Sequence, residues 1–150
     1  MSGGRGGVIH LARRFVGSLS RRAPLAGDEG WASAQLLAHE LDLWRSMSNV
    51  DRRHAIEVAR QFERLRGAGR REEMAAALLH DVGKVESGLG TLGRVAATIV
   101  GPRTRRFRAY HDHERIGSEW LAAGGSSPVT VDLVRRRGPG ADALTRADQV

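Results

Sequence analysis

The stretch AALLHDVGKV, residues 76–85, runs as an apolar, alanine-rich segment until it meets a histidine and an aspartate side by side. Alanine and leucine are strong helix formers, and Glu72 and Glu73 ahead of the stretch suit a first turn. The segment therefore predicts a buried helix, with Gly83 ending or bending it just past the pair. An imidazole and a carboxylate buried there without partners would cost several kcal/mol. A divalent cation removes that cost, because imidazole nitrogen and carboxylate oxygen are both among its donors. His80 and Asp81 are read as half of a metal site whose other half lies elsewhere in the chain.

The flanking sequence has the same helical grain. DEGWASAQLLAHELDLWRSM, residues 28–47, offers Asp28 as an N-cap and spaces Trp31, Leu36, Leu37, Leu41 and Trp44 at helical intervals. NVDRRHAIEVARQFERLRGAG, residues 49–69, puts His54, Val58, Phe62 and Leu65 on one stripe and stops at Gly67 and Gly69. GTLGRVAATIVG, residues 90–101, reads as a short apolar helix. A further helix ends at Gly124-Gly125. Residues 129–134 are β-branched enough for a strand, but Pro128 suits a helix's first turn and decides for a helix. DALTRADQV closes the pattern. The expected fold is an all-α bundle of about six to seven helices. Residues 1–7 are expected to be a disordered lead-in, and 8–150 a single helical domain.

Composition narrows the chemistry. The 150 residues contain no cysteine, which removes disulfides, thiolate ligands and a cysteine nucleophile. Any metal site must be built from histidine and carboxylates. The N-terminal VIHLARRFVGSLSRR, residues 8–22, has charges inside its apolar run, so neither a signal peptide nor a membrane span is expected, and the location expected is the cytoplasm. Net charge is +7 and pI about 11.3, a balance that favours anionic partners. Of 24 basic residues one alone is lysine, Lys84, three positions after Asp81. Nucleic acid is not the expected partner, because the arginines are scattered and few aromatics are present for stacking. His10 and His39 lack acidic company and are read as ordinary histidines. His54 faces inward on its stripe, and Asp148, at the end of a short apolar helix and in need of support from the metal itself or from packing around Leu144, offers a further ligand.

Taken together, HAIEVA (54–59), LLHDVGK (78–84), HERIGSEWLAAGG (113–125) and the late Ala147-Asp148 resemble the HD-domain metal-dependent phosphohydrolases, and among them the HDIG-type branch. The resemblance spans about residues 45–150. It implies that His54, His80, Asp81 and Asp148 hold one divalent metal ion (Mn, Fe, Co or Mg). It also implies that Lys84 contacts a substrate phosphate and that His113 lines the site as a catalytic residue, ligating a second metal in branches with two metals or contacting the phosphate in branches with one. Arg53 and Arg136 are further candidates for the phosphate, and PRTRRFR, residues 102–108, for a cationic wall. Asp112 and Glu114 suit either partners for the flanking imidazoles or first-turn acids.

Members of that family with two metals carry a histidine pair where this chain has Arg135, Arg136 and Arg137. Arginine has no lone pair to give a metal, so the expectation is one cation and not a second. The function implied is hydrolysis of a nucleotide or other small phosphate ester by metal-activated water. The alternative is a degenerate HD domain that binds nucleotide or metal as a regulatory module.

Overall fold

The computed structural model describes residues 22–67, 69–87 and 112–149. The lead-in 1–7, nearly all of the basic segment 8–22, the expected helix at 90–101, the arginine-rich 102–108, and His10 and His111 lie outside the described residues. Among the described residues there are seven α-helices and one 3-10 turn, and no strand. The helices are α1 (Ala26–Ser33), α2 (Ala38–Ser46), α3 (Asn49–Arg66), α4 (Arg71–Leu79), α5 (His113–Gly124), α6 (Pro128–Val134) and α7 (Ala141–Ala147). The 3-10 turn, Val82–Ser87, follows α4.

Helix α4 is the axis of the bundle. Every residue from Glu73 to Gly83 is buried, and α4 packs against α2, α3 and α6 together. Alanines at 75–77 make this possible, since a helix enclosed on several sides needs small side chains to let its neighbours approach. α7 lies on α3, and α5 lies on both α6 and the 3-10 turn. The core is built from Trp44, Ala55, Val58, Phe62, Leu78, Leu79, Leu121, Val134 and Leu144, all fully buried.

Local signals account for most of the boundaries. The Ser48 hydroxyl accepts the Asp51 amide at 3.1 Å and starts α3. Gly67, at φ +85°, stops it. Pro128 stands in the first turn of α6, and the Ser127 hydroxyl accepts the Thr130 amide at 3.3 Å.

The chain departs from the expected boundaries in three places. The run at 28–47 is two helices, because Glu40 turns back to accept the Leu37 amide at 2.8 Å and starts α2 afresh. Arg71 holds the break from outside, donating to both the Gln35 carbonyl and the Glu40 carboxylate, and Ser126 donates to the other Glu40 oxygen. Asp28 does not cap α1; it lies in the first turn and accepts from Arg60 at 2.6 Å. Finally, α4 ends at Leu79, one residue before the His-Asp pair. His39, read as an ordinary histidine, lies with its Nε2 2.7 Å from Ser126 Oγ, beside the Glu40 network.

Candidate metal centre

Three elements deliver the site. The first turns of α3 supply His54, the end of α4 supplies His80 and Asp81, and the end of α7 supplies Asp148. One ligand atom from each of the four lies within 4.8 Å of the others. His54 is aimed by its own stripe, whose next members Val58 and Phe62 are fully buried below it. Asp148 is aimed by Leu144 and Ala147, also fully buried, and its amide is still bonded to the Leu144 carbonyl at 3.0 Å. The dependence on Leu144 inferred from sequence is met by packing.

His80 performs two tasks with one ring. Its Nδ1 donates to the Ala77 carbonyl at 2.7 Å, satisfying one of the acceptors left open at the end of α4. That bond fixes the ring's orientation and leaves Nε2 facing the cluster, the arrangement that metal-ligating histidines use. Around Nε2 the spacings are 3.1 Å to Asp148 Oδ1 and 3.4 Å to Asp81 Oδ2, while His54 Nε2 is 3.3 Å from the same Asp148 oxygen. Two donors each about 2.1 Å from one cation and at right angles lie roughly 3 Å apart, so these edges suit a shared ion. The donor set, two imidazoles and two carboxylates, fits a divalent cation in its chemistry.

The electrostatics of the metal-free chain follow from burial and company. Burial opposes a charged His80, but Asp81 and Asp148 outweigh it and raise the imidazole to about 10. Burial likewise works against the Asp81 carboxylate, yet His80, Lys84 and His113 hold it well below its ordinary range. Asp148 is lowered too, its burial and the nearby Asp81 being overcome by hydrogen bonds from His54 and His80 and by the charge of His80. A proton on His80 thus stands in for the positive charge a metal would bring.

Each carboxylate also keeps a cation of the chain on it. Lys84 Nζ donates to Asp81 Oδ2 at 2.7 Å, and Arg136 Nη2 donates to Asp148 Oδ2 at 2.9 Å. His113, the first residue of α5, reaches Asp81 Oδ1 at 3.2 Å.

That reach depends on glycine, though not for the reason the sequence suggested. Gly83 is not among the positive-φ residues; a Cβ there would run into the backbone of His113. A Cβ on Gly117 would in turn meet the Gly83 nitrogen at 3.1 Å and Val82 Cγ1 at 3.0 Å. The two glycines let the 3-10 turn and α5 touch backbone to backbone, and this seats His113 beside Asp81.

Of the residues singled out from sequence, His54, His80, Asp81, Asp148, Lys84, His113 and Arg136 come together. Arg53 precedes His54 on α3. It lines a separate cavity with residues 22–25, Asp28, Ile56 and Glu57. Glu114 accepts from Arg136 Nε at 3.4 Å, tying the start of α5 to the turn after α6. The Ala77 carbonyl was not anticipated, because backbone groups carry no signal in a list of side chains. Comparison with known proteins adds no relative: no protein-family model, no curated protein and no solved structure matches this chain.

Proposed function

We propose that the chain is a metal-dependent phosphohydrolase of the HD-domain kind, acting on a nucleotide or another small phosphate ester. The observation that supports this best is the charge arrangement around the ligands. Asp81 is balanced by Lys84 and Asp148 by Arg136 before any metal enters. A divalent cation that displaces the His80 proton would therefore still add about one positive charge, and the site would stay cationic with Glu114 beside Arg136 counted in. A site that remains cationic after binding its metal suits a dianionic phosphoryl group and the charge that builds on it in the transition state.

His54, His80, Asp81 and Asp148 would hold the ion, which when bound polarises a phosphoryl oxygen and lowers the pKa of water. Lys84 carries three donors on its ammonium, so it can offer one to a phosphate oxygen while Asp81 keeps it in place. His113 Nε2, now on Asp81 Oδ1, would donate to the substrate from the rim, where its side chain is partly exposed. Arg53 is left out of this set because it lines the other cavity.

The test compares wild type with the His80→Ala, Asp81→Ala double variant for metal content and for hydrolysis of nucleotides and a generic phosphate ester, with Mn, Co, Mg or Fe. Stoichiometric metal and turnover in the wild type, both lost in the variant, are the expected result. Metal without turnover on any substrate would make the chain a binding module. No metal at all would sink the reading.

A further inference from the structure

Arg136 occupies a position built for glycine. Its amide bonds to the Leu133 carbonyl at 2.9 Å, and the next amide, Arg137, reaches back to the Asp132 carbonyl at 2.8 Å. This crossed pair closes the end of α6 in a Schellman motif, with Arg136 at the left-handed position. Arg136 is at φ +59°, and among the described residues it is the sole non-glycine with positive φ. A Cβ in this conformation crowds the following carbonyl, so the arginine is held there at a conformational cost. Such an outlier points to what its side chain does.

The guanidinium clamps the ligand set from behind. Nη2 donates to Asp148 Oδ2, while Nε donates to Glu114 Oε1 on α5. Asp148 Oδ1, the other oxygen, is the one that faces both His54 and His80. We propose that Arg136 is a positioning residue which reserves Oδ2 for itself, so that Asp148 serves a metal through Oδ1 alone. The inference rests on the four-residue metal site and not on the hydrolase activity assigned to it. The clamp ties the ends of α5, α6 and α7 to one guanidinium and limits the coordination number of the ion. Coordination positions are thereby kept for an exogenous ligand.

Glycine separates this role from a purely structural one. Arg136→Gly relieves the left-handed strain and removes the clamp; Arg136→Asn does nearly the same with a side chain that tolerates the conformation. Cobalt(II) reports both affinity and coordination, through its visible absorption, without any assay of turnover. For Arg136→Gly the expected result is a metal-free melting temperature no lower than wild type. Its cobalt affinity should be weaker by tenfold or more, and its visible band weaker and moved toward higher coordination as Asp148 becomes free to bind through both oxygens. Arg136→Lys should recover part of the affinity, because an ammonium can hold one oxygen but not bridge to Glu114 as a planar fork does.

Wild-type cobalt affinity and spectrum in both Arg136→Gly and Arg136→Asn would overturn the proposal. So would a lower metal-free melting temperature with unchanged cobalt binding, which would make Arg136 an ordinary ion-pair partner. A wild-type chain that takes up no cobalt overturns the metal site itself, and this proposal with it.

Discussion

His80 illustrates how a single residue can carry folding and binding at once. Its Nδ1 closes the end of α4 on the Ala77 carbonyl, while its Nε2 sits between two carboxylates. In the metal-free chain its pKa of about 10 lies above the roughly 6.5 of an unfolded imidazole. Its contribution to stability is therefore complete below about pH 6.5 and fades as the pH rises through 10. Asp81 and Asp148, shifted downward, contribute above the ordinary carboxylate pKa, roughly 4, and lose that contribution as acid protonates them. A metal competes for the same nitrogen as the proton. At pH 7.5, cation uptake should release about one proton per site. Titration calorimetry in two buffers of different ionisation enthalpy measures this; no buffer dependence would mean that His80 is already neutral before the metal arrives. His54, His80, Asp81 and Asp148 were legible in the sequence because their residue types are rare in apolar company. The partners of Arg136 were not, since nothing local marks the carboxylates that a guanidinium after α6 will meet.

At the scale of the element, caps and glycines were informative where the interaction was local. Gly67 and Pro128 act on their own turns, and α3 ends and α6 begins where those residues place them, whereas Ser48, which caps α3, was not singled out from the sequence. The break between α1 and α2 was hidden because it is held by Arg71 and Ser126, which lie 31 and 86 residues from Glu40. Gly83 was recognised but for a different reason. Its lack of a side chain serves contact with α5, and only the packed pair of elements shows what a Cβ would strike. Gly83→Ala should destabilise the protein by about 2 kcal/mol or more, because the obstruction is backbone and cannot rotate away. Gly27→Ala, in a helix with nothing near the added carbon, should be neutral or stabilising by up to about 1 kcal/mol. Thermal unfolding of the two variants checks both; equal melting temperatures would remove the close approach as a constraint.

Over the whole molecule, the site joins α3, the end of α4 and α7, so a bound cation links parts of the chain up to 94 residues apart. Metal that binds only the folded chain should stabilise it by about 2.7 kcal/mol at a hundredfold excess over Kd. The melting temperature should rise with added metal, return with a chelator, and rise further at pH 8 than at pH 6, since fewer protons then compete. The His80→Ala, Asp81→Ala variant should show none of this response. A wild-type melting temperature indifferent to every divalent cation would contradict the site.

No helix among the described residues is long and apolar enough to cross a membrane. The order of apolar and polar residues was enough to determine the all-helical architecture of the described residues and the identity of four candidate ligands, because periodicity and residue chemistry act over a few residues. Which oxygen of Asp148 faces the histidines, why Gly83 must lack a side chain, and where the first long helical run breaks were decided by the tertiary structure. Each depends on atoms that become neighbours only after α4 has been enclosed, and burial then sets both their distances and their charge.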